Sequence, residues 1–160
     1  MTIRKTIFED IPTLQEIFAV ARKFMADTGN PNQWAETYPS VEQLTNDINS
    51  GDSYVCLEKD HIVATFVLRG GDDPTYDVIY NGEWLNNNPY ATIHRIASNG
   101  EVKGIFNKVM EFALQHYDTI RIDTHRDNMV MRNAVEKAGF IYCGIIHCWN
   151  GDERLAFQYN

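Results

Sequence analysis

The most constraining feature of this chain is an alternation in its second half. Apolar, β-branched runs at ATIHRIAS (91–98), TIRIDTH (119–125) and FIYCGIIH (140–147) enclose two segments, 103–116 and 128–137, and RLAFQY (154–159) follows. The apolar runs read as strands, and the enclosed segments recur at helical spacing. Strand, helix, strand, helix, strand predicts parallel pairing through right-handed crossovers, because parallel strands need a connection of a dozen or more residues.

The first half has a different grammar. SYVCLEK (53–59) and HIVATFVLR (61–69) meet through Lys59, Asp60 and His61, which predicts a tight antiparallel hairpin. Residues 3–8 read as a short strand, and Asp10 and Pro12 mark the start of a helix. Ile11, Leu14, Ile17, Phe18, Ala21 and Met25 supply its apolar face. ADTGNPNQWAETYPS (26–40) is broken by Gly29, Pro31 and Pro39 and reads as a loop, with a short helix over about 41–48 after it. Residues 72–89 read as an irregular excursion with one strand at most. The expectation is an α/β fold: a single domain over residues 1–160, with a mixed sheet, antiparallel in its N-terminal half and parallel in its centre, flanked by helices. In such sheets ligands bind beyond the carboxyl ends of strands, here residues 98–106 and 125–128.

Charge narrows the function classes. Lys and Arg number 14 against 22 Asp and Glu, a formal charge of -8, which argues against nucleic-acid or anionic-membrane partners. No apolar run approaches the roughly 20 residues that span a bilayer, and MTIRKTIFED lacks the apolar core of a signal peptide, so a cytoplasmic location is expected. The three cysteines, Cys56, Cys143 and Cys148, are odd in number and read as reduced thiols. Cys143, His147 and Cys148 lack a paired zinc spacing, and no metal is expected. No Walker or dinucleotide glycine pattern occurs.

IDTHRDNMVMRNAVEKAGF (122–140) resembles the C-terminal half of the GCN5-related N-acetyltransferases, the GNAT family, whose pattern is a strand, an Asn, a helix and a Glu-Lys-x-Gly-Phe ending. HRIAS, the Glu-Val-Lys-Gly after it and the next helix resemble that family's central acetyl-CoA motif, and the N-terminal strand and helix also fit. The resemblance spans most of the chain. It implies acetyl-CoA as cosubstrate, with backbone groups near Ile96 and Ser98 pairing with the pantetheine arm as an added strand would. Lys103, Gly104, Ile105, Phe106 and Asn107 would present backbone N–H groups and a helix N-terminus to the pyrophosphate. Asn128 would bond the pantetheine through its amide.

Two departures from the family pattern stand out. Glu101 and Phe106 occupy places usually held by Gln or Arg and by Gly or Ala, which sets a carboxylate and a large ring beside the expected phosphate turn. Val135 occupies the place where many members carry a Tyr that protonates the departing thiolate. A thiol is acidic enough to leave without a strong acid, so that loss is compatible with catalysis.

For proton transfer the candidates are His94 and His125. His94 lies on the strand that would carry the pantetheine, where it reads either as a base or as a histidine bonded between sheet and helix. His125 shares a strand face with Arg121 and Asp123, and reads either as a base or as part of a buried charge network. Acceptor contacts are expected from Asn30, Gln33, Trp34 and Tyr38 in the first loop, and from Trp84 and Tyr90 on the other side. The expected activity is transfer of acetyl to a primary amine of a small molecule or peptide, by direct attack in a ternary complex. A non-catalytic acyl-CoA-binding module is the alternative, and an interaction domain that binds no CoA a third reading. The final strand reads as exposed and would also allow a homodimer by pairing across a two-fold axis.

Overall fold

A computed structural model of the chain describes residues 1–160. Seven strands form one sheet: β1 (Thr2–Lys5), β2 (Ser53–Glu58), β3 (His61–Gly70), β4 (Ala91–Ser98), β5 (Ile120–Thr124), β6 (Ile141–His147) and β7 (Glu153–Tyr159). Four helices accompany them: α1 (Ile11–Asp27), α2 (Val41–Asn49), α3 (Ile105–Leu114) and α4 (Met129–Lys137). The spatial order is β1-β2-β3-β4-β5-β7-β6. The first four strands are antiparallel neighbours, and β4 and β5 are the parallel pair. The expected mixed α/β architecture is therefore present.

The β2–β3 hairpin turns at Lys59 and Asp60, both at positive φ (50° and 68°), and His61 already pairs with Glu58. Two left-handed residues make the turn whose twist matches paired strands. At the first helix, Asp10 does not cap α1 with its side chain. Its carboxylate accepts from the Ile7 N–H (2.9 Å) and from Arg4 (2.8 and 3.1 Å), tying β1 to a 3₁₀ turn at Phe8–Asp10.

Strand β7 lies between β5 and β6 and is antiparallel to both. The crossover through α4 thus delivers β6 one place beyond β5, leaving a gap that β7 fills. The final strand is interior to the sheet, so the edge pairing across a two-fold axis expected of an exposed final strand has no free edge there. The sheet edges are β1 and β6.

The two faces of the sheet are covered differently. On one, Val109, Met110 and Ala113 of α3 and Val135 of α4 pack on Phe66, Ile93, Ile120, Ile122 and Phe157. On the other, Leu14, Ile17, Phe18 and Ala21 of α1 and Leu44 of α2 pack on Val55 and Ala97. Burying each of the larger of these side chains stabilises the fold by about 1.5–3 kcal/mol. No α-helix covers β5–β7–β6 on that second face. The polar, aromatic segment 71–90 lies there instead, through Tyr76 and Tyr90 against Ile146 and Ala156, with one isolated bridge, Tyr80 to Ile145. At Gly82 a Cβ would collide with the Cys143 carbonyl oxygen, so only glycine allows this close backbone approach to β6.

Candidate functional site

The site originates where the sheet splits. β4 and β5 pair only at Ala91–Ile120 and Thr92–Arg121, and beyond Thr92 the two strands are unpaired. The register between β3 and β4 also shifts between Thr65 and Val67, so that Arg95 and Ile96 form a bulge with Arg95 at φ 48°. A left-handed arginine is strained, and side chains from two other elements hold it there. Nε and Nη2 of Arg95 donate to both oxygens of the buried Asp47 on α2 (2.8 and 2.7 Å), and Nη1 donates to the Tyr38 hydroxyl (3.1 Å).

A cleft of about 340 Å³ opens beside the bulge. Its walls include His94 and Ile96 of β4, Asp123 of β5, Arg154 of β7, and Gln33, Trp34 and Tyr38 from the loop after α1. The loop is fixed by aromatic contacts, Phe18 to Trp34 (5.7 Å between centroids) and Trp34 to Tyr38 (5.8 Å).

At the cleft wall, Nε2 of His94 lies 3.0 Å from Oδ2 of Asp73. Burial alone would raise the Asp73 carboxyl, but hydrogen bonds from His94 and from the Thr75 hydroxyl and N–H more than offset it and hold it at about 2. An ionised carboxylate only accepts, so the shared proton resides on His94 Nε2. In the neutral ring Nδ1 is then the acceptor, and it has no partner within the protein. Asp73 is itself oriented: its N–H donates to the Tyr90 hydroxyl (2.8 Å), and its Oδ1 serves Thr75. Nearby, the fully buried Tyr76 donates to Asp123 Oδ2 at 2.6 Å. Burial first, and then the Asp123 charge, push the Tyr76 phenol well above its usual range.

On the opposite side of the split, the turn before α3 exposes backbone donors. The first helical hydrogen bond is from Lys108 N–H to the Gly104 carbonyl, and the N–H groups of Lys103 to Asn107 have no acceptor in the protein. Gly104 sits at φ 77° with open space around the position of a Cβ. Phe106 does not crowd this turn: its ring faces inward, 6.2 Å from that of Phe140, and the Glu101 side chain is exposed. A run of free N–H groups at a helix N-terminus suits a pyrophosphate, so these residues fit a CoA-type ligand.

The remaining sequence candidates fall into distinct places. Ser98 ends β4, where its hydroxyl accepts from the Gly100 N–H (3.1 Å). Asn128 is engaged at both ends, capping α4 through the Met131 N–H (3.0 Å) and donating to Gln33 Oε1 (2.9 Å). Asn30 is buried behind the cleft and donates to the same Gln33 oxygen (2.9 Å). Trp84 and Tyr90 do not line the cleft. They sandwich Arg121, each ring centroid 4.1 Å from its guanidinium carbon, and Trp84 donates to the Tyr76 carbonyl (2.9 Å). His125 also stands outside the cleft wall. Its Nδ1 accepts from the Asp127 N–H (3.0 Å), and burial followed by the Arg154 charge lowers its pKa. Arg121, Asp123 and His125 have separate partners and form no common charge network. Val135 is fully buried between α4 and the sheet.

Sequence reasoning missed Asp47, Asp73, Arg95 and Arg154. For Asp73 a local signal existed, since Asp-Pro-Thr favours a turn in which the Asp side chain accepts from the residue two positions on. The other three meet only in three dimensions.

Comparison with known proteins follows the same lines. No family model matches the sequence, and no curated protein sequence matches it. Among solved structures, a GNAT-family acetyltransferase from Streptococcus agalactiae is 30% identical, with 98% of this chain and 93% of that chain covered and a TM-score of 0.84. A GNAT-family acetyltransferase from Listeria monocytogenes is 15% identical, covering 99% and 93%, with a TM-score of 0.71. An aminoglycoside acetyltransferase, AAC(6')-Ib, solved in complex with coenzyme A and kanamycin, is 15% identical, covering 99% and 94%, with a TM-score of 0.66. The last two share the fold.

Proposed function

The chain belongs to the GNAT family of acetyltransferases, and from that premise we propose that it transfers acetyl from acetyl-CoA to a primary amine of a small molecule or peptide, by direct attack in a ternary complex. The observation that carries this reading is the His94–Asp73 pair, set in a cleft at the split between β4 and β5 with His94 Nδ1 free. When bound, acetyl-CoA supplies the thioester.

The residues divide the work. Free backbone groups of β4 near Ile96 and Ser98 receive the pantetheine arm, and the N–H groups of Lys103 to Asn107 receive the pyrophosphate. Asn128 orders this side of the cleft by fixing α4 and Gln33. His94 Nδ1 accepts the amine proton, directly or through a water, while Asp73 holds the ring and stabilises the imidazolium that results. Asp73 is thus a positioning residue, and Tyr90 positions Asp73 in turn. Gln33, Trp34 and Tyr38 line the acceptor side, where an aromatic and polar wall suits an amine-bearing ligand. His125, with its Nδ1 engaged in a local turn, drops out as the base. With Val135 sealed in the core, the departing thiolate takes its proton from solvent.

No helix is long and apolar enough to cross a membrane, and all three cysteines are unpaired. A cytoplasmic setting remains part of the proposal.

The test is calorimetric titration with acetyl-CoA, with CoA and ATP as controls, followed by thiol release over a panel of amines. One-site binding of both CoA species but not ATP, with amine-dependent thiol release, supports the reading. Binding without release from any amine would leave a CoA-binding module, and no binding by the folded protein would remove the CoA assignment altogether.

A further inference from the structure

Three arginines line the cleft, and two are neutralised by the protein. Arg69 pairs with Asp52 (3.0 Å) and Asp47 (3.3 Å), and Arg95 with Asp47 (2.7 Å). Arg154 is different. It is only 6% exposed, and its guanidinium donates to two carbonyl oxygens, that of Glu153 (3.0 Å) and that of Gln33 (2.9 Å). No carboxylate lies within ion-pair distance. Asp123 is engaged by the Tyr76 hydroxyl, and Asp152 accepts from the Asn150 side chain (3.1 Å).

A guanidinium stays charged at any physiological pH, and a buried charge is normally met by an opposite one. Here neutral carbonyls orient the group at the cleft wall, and no carboxylate of the protein pairs with it directly. Such a group favours a carboxylate, which its planar fork meets with charge-assisted hydrogen bonds. Its place in the sheet matters too. His94 is on β4 and Arg154 on β7, with β5 alone between them, so the two strands stand about 10 Å apart at ordinary spacing, somewhat more where the sheet splits. Two inward-reaching side chains at that span suit a molecule of amino-acid size.

Resting on the acetyl-transfer reading, we propose that Arg154 binds a carboxylate of the acceptor, which makes the acceptor a small amino carboxylic acid. The amine end meets His94 and the acid end meets Arg154. This also accounts for the Gln33 carbonyl bond, which holds the guanidinium in place before the acceptor arrives.

The experiment measures thiol release and melting temperature with L-amino acids and with their carboxamides. For the wild-type protein the proposal expects kcat/KM at least about 50-fold higher for the best amino acid than for its carboxamide, as loss of a charge-assisted pair implies. In Arg154→Gln that ratio shrinks to about threefold or less, with the loss borne by KM, and Arg154→Lys restores part of it. A purely structural tie to the Gln33 loop would instead lower both substrates alike, which overturns the proposal. So does a wild-type protein that uses the acid and the carboxamide equally, a result that stands even if the variants fail to fold. If no amine is acetylated, the transfer reading falls and melting alone decides the carboxylate site. Stabilisation by the amino acid but not its carboxamide upholds it, and an equal or absent response overturns it.

Discussion

Arg95 and Asp47 form a two-point ion pair, Nε to Oδ2 at 2.8 Å and Nη2 to Oδ1 at 2.7 Å, that fastens the bulge of β4 to helix α2. The pair is nearly dry, and it holds an arginine at φ 48°, a conformation that costs about 1–3 kcal/mol by itself. Replacing Asp47 by Ala strands the guanidinium without its partner, so stability should fall by about 3–5 kcal/mol. The midpoint of urea unfolding reads this directly. A loss below about 1 kcal/mol would show that Tyr38 and solvent suffice to hold the bulge.

His94 should carry the proton-transfer step. His94→Gln is expected to lower kcat by about 100-fold, within the usual range for a general base, while acetyl-CoA affinity stays within about twofold. Asp73→Asn should lower kcat less, because the ring loses its anchor but keeps its lone pair. Thiol-release kinetics and calorimetry on the same samples check both, and an unchanged kcat in His94→Gln would remove it from the chemistry.

Asp73 also predicts acid sensitivity. Its carboxyl is held at about 2 in the folded protein, below the ordinary value of 3.8. The native state therefore releases this proton more readily than the unfolded chain, and the resulting stability is fully present above about pH 4 and is lost as pH falls towards 2. Allowing for partial solvent screening, about 1–2 kcal/mol is involved. Unfolding free energies across that window should fall less steeply in Asp73→Asn than in the wild type.

Phe106 separates stability from ligand binding. Its ring packs on Phe140 while its N–H is left without an acceptor at the turn before α3. Phe106→Leu should leave CoA affinity within about twofold. Phe106→Gly, although Gly or Ala is usual at this place in the family pattern, should cost about 3–5 kcal/mol of stability through the lost side chain and the added helix entropy. Melting curves and CoA titrations distinguish the two effects.

Asn128→Ala should not leave stability untouched, since it deletes the cap of α4 and one of the hydrogen bonds that Gln33 Oε1 accepts, the others coming from Asn30 and the Thr124 hydroxyl. A loss of about 1–2 kcal/mol is expected from the cap, together with weaker CoA binding. Asn128→Asp, which keeps the cap but not the amide donor, should recover the stability and leave binding weak. Equal CoA affinity in both variants and the wild type would free Asn128 of any role in the site.

The parts of this molecule that were readable from the sequence are those whose cause is local. The hairpin at Lys59–Asp60, the strand at Ala91–Ser98 and the helix after Asn128 each follow from periodicity and turn chemistry within a few residues. His94 was legible as a candidate because it sits on a recognisable strand. Its partner was not, because Asp73 reaches it from an irregular segment with no period to anchor it. The same holds for Arg95 with Asp47 and for Arg154 with Gln33, where the contact depends on the loop after α1 and on the bulge. The placement of β7 was illegible for another reason: alternation of strands and helices specifies crossovers but not which strand fills the gap they leave.

The insertion of β7 between β5 and β6 sets an order on folding. β6 precedes β7 in the chain yet pairs with no other full strand, so it has no place in the sheet until its successor has docked on β5, with Ile120 opposite Tyr159. Such long-range closure is slow relative to hairpin formation. The β2–β3 and β6–β7 hairpins can therefore assemble early from local pairings, whereas the cleft wall bearing Arg154 takes its place in the sheet only when the β5–β7 ladder closes. Mutations in β7 should slow folding in proportion to the ladder contacts they remove, even where they lie far from the cleft.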